Sequence, residues 1–177
     1  MAYQKIENVR ISGISACVPK TIVSNINSPV FLSAEDASKF ISSTGIKERR
    51  IASSDICSSD LCYDAAEKLI GDLGWDRKEI DCLVFITQTP DYIVPATSCI
   101  LQDRLGLSSE CYSFDVTLGC SGWVYGVSII GSLLSTGYFK KGLLLVGETT
   151  TKTKSPTDKS TFPLFGDAGT ATCMEHS

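Results

Sequence analysis

Histidine is almost missing from this 177-residue chain: His176, one position before the end, is the only one. With so little imidazole, and with no Cys-x-x-Cys pair among the eight cysteines, no metal site is expected. Clusters of Lys and Arg are also missing, and the formal net charge is −4. That balance argues against nucleic acid or an anionic membrane surface as a partner. No apolar run approaches membrane-spanning length, and the N-terminus lacks a basic-then-apolar leader. A cytoplasmic location, with no membrane partner, is the expectation. Without a secretory signal, a disulfide framework is not expected either.

What is present is an ordinary globular balance, 43% hydrophobic and 20% charged residues. No repeat or linker divides residues 1–177, so a single domain is expected. Val9 to Val18 reads as a first strand ending at Pro19. Ser33-Ala34-Glu35-Asp36 reads as a capped helix start, with the helix fading before Thr44-Gly45. Ser58 or Ser59 can cap a second helix with Leu61, Ala65, Leu69 and Ile70 on its apolar face. Cys82 to Thr87, Cys111 to Val116 and Gly142 to Gly147 read as further strands, and after a polar loop the chain ends in Ala168 to Glu175. A helix after Pro95 runs to Leu105 and stops at Gly106. The alternation predicts an α/β fold with a largely parallel sheet covered by helices on both faces.

Most of the cysteines fit this plan as small buried hydrophobes; Cys82 and Cys111 open apolar strands. Cys120 stands apart. In Phe114-Asp115-Val116-Thr117-Leu118-Gly119-Cys120-Ser121-Gly122-Trp123, a strand turns through small residues into a helix running to about Thr136. If that helix starts at Cys120, its unpaired amides favour a thiolate there and can stabilise an oxyanion. Gly119 and Gly122 would leave room for substrate. The helix carries Trp123, Val124, Tyr125, Val127, Ile129, Ile130, Leu133 and Leu134 almost all round its circumference, which predicts central burial. The run is not a Gly-x-Ser-x-Gly elbow, because Trp123 stands where the second glycine would fall. His176 is expected to be an exposed tail residue, not a catalytic partner. Local chemistry therefore leaves both a functional and a structural reading of Cys120 open.

Four ordered motifs resemble the thiolase superfamily, specifically bacterial β-ketoacyl-[acyl-carrier-protein] synthase III. They are Thr44-Gly45-Ile46-Lys47-Glu48-Arg49, the Pro95-Ala96 segment to Leu105-Gly106, Asp115 to Trp123, and Pro156-Thr157-Asp158 with Phe165-Gly166-Asp167-Ala168-Gly169-Thr170-Ala171. The resemblance covers essentially the whole chain and implies a thiolase-like half: a five-stranded, mostly parallel mixed sheet with helices on both faces. It implies that Cys120 accepts an acyl group from an acyl-CoA or acyl-carrier-protein thioester. Decarboxylation of malonyl-acyl-carrier protein and Claisen condensation, a step of fatty-acid or related acyl-chain synthesis, would follow. Acyl-carrier protein is the implied partner, a homodimer the implied assembly, and no cofactor is required. The family's catalytic His and Asn come from a second half, so 1–177 corresponds to the N-terminal domain alone. Two other readings are a non-catalytic partner or scaffold domain, and acyl transfer without condensation. An uncovered apolar face would drive such a domain to self-associate.

The chain also departs from the pattern. The aromatic residue that stacks on the CoA adenine falls on Lys39, and an arginine that holds the nucleotide falls on Ser43. Lys159 replaces another arginine and keeps charge without the guanidinium fork. Carrier-bound acyl donors are thereby implied beside acyl-CoA. Val94 takes the place of the residue, commonly aromatic, that closes the partner's acyl pocket, so a longer or branched chain is expected to fit. Thr44, Val94 and Lys159 are the candidate substrate-binding residues. As ordinary structural residues, Lys39 and Ser43 would lie on a helix surface, Glu148 on the protein surface, and Trp123 in the core.

Overall fold

An apolar strand with no polar face can only sit inside a sheet covered on both sides, and Cys82-Leu83-Val84-Phe85-Ile86 is such a strand. The computed structural model describes residues 3–177 and builds the sheet around it. In chain order the elements are β1 (Val9–Cys17), β2 (Ile22–Ser24), α1 (Ala34–Thr44), β3 (Glu48–Arg50), α2 (Ser58–Leu73) and β4 (Cys82–Ile86). Then follow α3 (Thr97–Arg104), β5 (Tyr112–Val116), α4 (Gly122–Ser135), β6 (Lys141–Glu148) and β7 (Ala168–His176). The main sheet has the order β1-β7-β6-β4-β5. β4 pairs in parallel with both β5 and β6, and β7 runs antiparallel to β6 and β1. Four of the five strands therefore point the same way, as expected for a mostly parallel mixed sheet.

Two clusters fill the faces. Leu83, Phe85, Leu143 and Leu145 meet α2 and α3 in one, and Val84, Ile86 and Leu144 meet α4 in the other. Parallel pairing requires crossovers, and α3 and α4 supply them between β4 and β5 and between β5 and β6.

The helix starts show where sequence signals hold. Ser33 caps α1 by accepting the Asp36 amide at 3.2 Å, and Gly45 closes that helix at φ 75°. The cap of α2 is Cys57 rather than Ser58 or Ser59: the Asp60 carboxylate accepts the Cys57 amide at 2.8 Å. The two serines lie one step inside the helix. Ser58 donates to the Thr89 carbonyl and Ser59 bonds to Asp91, so they tie the helix to the loop after β4.

α4 departs from the expected central burial. Gly122, Gly126, Ile130, Gly131 and Leu134 face inward, while Val124 and Tyr125 are 63% and 55% exposed. A Cβ on Gly122 would lie 2.8 Å from Ile86 Cγ2, and one on Gly126 would collide with Leu144. The missing side chains let α4 press against the sheet, and its outer side stays open.

Two of the motifs are a structural latch. Arg49 is 4% exposed; it donates from Nε to Asn25 Oδ1 at 3.0 Å and from one terminal nitrogen to the Phe162 and Phe165 carbonyls. Asp167, 2% exposed, accepts from the Ala52 and Thr151 amides and from the Thr151 hydroxyl. Buried charges of this kind persist only when they are bonded on several sides.

Candidate functional site

The loops leaving the C-terminal ends of β4, β5 and β6 meet at one edge of the sheet, the usual place for a ligand crevice in a parallel sheet. The β5 loop carries Cys120. α4 begins at Gly122, so Cys120 precedes the first helical residue by two positions rather than opening the helix. The Gly122 amide donates to the Gly119 carbonyl at 2.8 Å and folds the turn. Ser121 is the N-cap but its side chain makes no capping bond, and no acid stands in the first turn. The amides of Trp123 and Val124 are thus left for negative charge beside the thiol.

The other thiols contrast with it. Burial pushes Cys62, Cys82 and Cys173 up to about 12 and also raises Cys17, Cys57 and Cys111. Among the eight free cysteines only Cys99, on α3, and Cys120 are exposed. The thiols held up by burial stay protonated and inert at neutral pH.

The β6 loop contributes Glu148, which is not an ordinary surface acid. Its carboxylate accepts from the Gln88 amide at 2.7 Å, the Thr89 hydroxyl at 2.8 Å and the Thr87 hydroxyl at 3.4 Å. The Thr149 amide in turn donates to Thr89 Oγ1 at 2.9 Å, and the Thr87 amide donates to the Val116 carbonyl at 3.2 Å. These bonds lock the β4 loop to both neighbours. Gln88 is thereby placed against the nucleophile turn: a Cβ built on Gly119 would fall 2.7 Å from Gln88 Oε1. Neither glycine faces open space, since Gly119 admits Gln88 and Gly122 admits Ile86.

Asp115 holds the opposite wall. Its two carboxylate oxygens accept the Thr97 and Ser98 amides, each at 2.7 Å, and so fix the start of α3 and the loop ahead of it. Tyr92, Ile93 and Val94 project from that loop, 60%, 97% and 81% exposed. The Val94–Pro95 peptide is cis.

The remaining candidates are not drawn to the thiol. Thr44 Oγ1 donates to the Phe40 carbonyl at 2.8 Å and accepts the Ile46 amide, finishing α1. Lys39 pairs with Glu35 at 2.7 Å and Ser43 donates to the Phe40 carbonyl, both as ordinary helix-surface residues. Lys159 is exposed and follows Asp158, whose carboxyl the Ser160 and Thr161 hydroxyls hold down to about 2. Trp123 is 39% exposed and donates from Nε1 to Thr172 Oγ1 at 3.1 Å, so its indole is pinned across β7 rather than enclosed in the core. His176 is not a loose tail: it ends β7, and its Nδ1 lies 3.0 Å from the Leu134 carbonyl, at the end of α4 remote from Cys120.

Gln88, Glu148 and Asp115 form the frame that sequence reasoning undervalued. The available signal was polar residues placed immediately after, or at the end of, buried parallel strands. Among the described residues no cluster of His, Cys, Asp or Glu is arranged to hold a metal ion, and no helix is long and apolar enough to cross a membrane.

This fold and this cysteine turn define a thiolase-like α/β protein. Within that class the chain is β-ketoacyl-[acyl-carrier-protein] synthase III-like. The model of the family described as 3-oxoacyl-[acyl-carrier-protein (ACP)] synthase III matches residues 114–177. A β-ketoacyl-[acyl-carrier-protein] synthase III of Desulfitobacterium hafniense is 34% identical over 168 residues, 95% of this chain and 50% of that protein. The homologous synthase of Xanthomonas oryzae is 38% identical over 94% of this chain and 50% of its own length. The crystal structure of a 3-oxoacyl-(acyl-carrier protein) synthase from Burkholderia xenovorans superimposes with a TM-score of 0.94 at 41% identity, covering 97% of this chain and 49% of that one. The chain spans about half the length of the curated relatives it matches.

Proposed function

We propose that residues 1–177 form the nucleophile-bearing N-terminal domain of a condensing enzyme of the synthase III type, with Cys120 as its acyl acceptor. The observation that carries this reading is an exposed thiol beside an uncapped helix start, at the C-terminal ends of three parallel strands. The Cys120 sulfur attacks a thioester carbonyl, an S–C bond forms, and the carrier leaves as a thiol after taking up a proton. The first-turn amides of α4 stabilise the oxyanion. In the whole enzyme, malonyl-acyl-carrier protein then loses CO2. The enolate carbon that remains attacks the acyl carbonyl, a C–C bond forms, and the bond to Cys120 breaks. That second step needs the His and Asn that the family resemblance assigns to another half.

The donor is a pantetheine thioester, and acyl-carrier protein is the partner. With Lys39 and Ser43 engaged within α1, carrier protein is favoured over CoA as the donor's carrier. Thr44 and Lys159 remain candidates for the carrier side of the site. A homodimer is supported by the free edge of β5 and by the exposed apolar tip at Tyr92 to Val94, which suits insertion into a second copy. Free thiols throughout fit a reducing cytoplasm.

The test is incubation with acyl-CoA and acyl-carrier-protein donors, followed by peptide mass spectrometry. Acyl mass on the Cys120 peptide, lost in Cys120→Ala, is the expected result. A folded chain that takes no acyl group from any donor favours a scaffold domain instead.

A further inference from the structure

Gln88 is the residue that this site uses in a way its backbone role does not require. Its amide is committed to Glu148, but its carboxamide lies over Gly119, next to the nucleophile, and makes no hydrogen bond among the described residues. A carboxamide offers two donors and an acceptor. The Gln88 backbone is anchored to Glu148, and the flanking Thr87 and Thr89 hydroxyls bond to the same carboxylate, which fixes where the side chain starts. Gln88 also lines a surface cavity of about 340 Å³, together with Thr89, Asp91, Thr149, Lys152 and Cys57. Cys120 follows Gly119 directly in the chain, so the Gln88 carboxamide borders the turn on which an acyl group would be carried. A plain alkyl chain packed against that turn would desolvate the carboxamide without giving it a partner.

Resting on Cys120 as the acyl acceptor, we propose that Gln88 is a specificity-determining residue that selects acyl groups carrying an oxygen close to the thioester, such as a 3-hydroxyacyl chain, over unsubstituted alkyl chains. Glu148 is its positioning residue. The carboxamide donates to the acyl oxygen or accepts from its hydroxyl, and the discrimination is that of one net hydrogen bond.

The test uses matched N-acetylcysteamine thioesters of 3-hydroxybutyrate and butyrate, which lack any nucleotide or carrier protein. Initial rates of mass addition at Cys120 are compared. The expected preference for the hydroxyacyl thioester is about tenfold, falling to within about twofold in Gln88→Leu. Gln88 is exposed, so the variant should keep its fold; urea melting checks this, and Gln88→Ala provides a second variant. Equal rates in the unaltered chain, or a preference that survives both substitutions, would overturn the inference while leaving Cys120 as nucleophile. No addition from either thioester, at a Cys120 that iodoacetamide still alkylates, would overturn the nucleophile reading and this inference with it.

Discussion

Leu83, Phe85, Leu143 and Leu145 point into a closed core under α2 and α3, whereas Val84, Ile86 and Leu144 on the opposite face meet α4, whose outer side is open to solvent. The strands contribute fully buried side chains to both faces. What differs is the cover. The first cluster is made mostly of fully buried residues, while around the second Val127, Ile129, Leu133, Phe114 and Val116 are only partly buried. The first face supplies stability. The second holds the nucleophile turn in place through the glycine contacts of α4 and leaves Val124 and Tyr125 exposed on the helix's outer side.

The largest expected effect breaks or upholds this comparison directly. Phe85→Ala removes a fully buried ring from the closed face and should cost about 3–5 kcal/mol in urea unfolding. Val124→Ala, on the outer side of α4, should stay within about 0.5 kcal/mol. Similar costs at the two sites would mean that the outer side of α4 is buried in solution.

A second test asks what that open side does. Contiguous exposed apolar surface on a small domain marks an interface. Light scattering should therefore give a mass above that of one chain, and Val124→Glu with Tyr125→Glu should lower it. A monodisperse monomer before substitution would remove the interface from the comparison.

Much of this architecture was legible in the sequence because it rests on local rules. The uniformly apolar β4, the Ser33 cap and the glycine stops at Gly45 and Gly106 depend on residues close together in the chain. The errors share a cause. Apolar residues all round α4 suggested burial, yet periodicity cannot tell a core partner from a neighbour outside the chain. Ser58 and Ser59 had the right chemistry for a cap but were taken up by Thr89 and Asp91, some thirty positions away. Cys120 could be singled out from its turn and motif. Glu148 could be noticed at the end of a buried strand, but its bond to Gln88 could not be read, because it depends on β4 and β6 lying side by side.

The last effect, smallest when counted per pH unit, sharpens the comparison by locating where the two faces are alike. Cys62 and Cys173 belong to the closed face and Cys82 to the α4 face, yet burial pushes all three thiols up to about 12. Each folded value lies above the unfolded one near 9.0, so the unfolded chain loses its protons first as pH rises. The stabilising contribution is complete below pH 9 and declines through the window up to about 12. Linkage sets the slope at about 1.4 kcal/mol per pH unit for each thiol. Chemical unfolding measured across this window should steepen with pH, and Cys62→Ala and Cys82→Ala should each flatten the slope by a similar amount. A flattening confined to Cys62→Ala would show that solvent reaches the strands beneath α4. The contrast between the faces would then begin at the sheet itself rather than at the outer side of the helix.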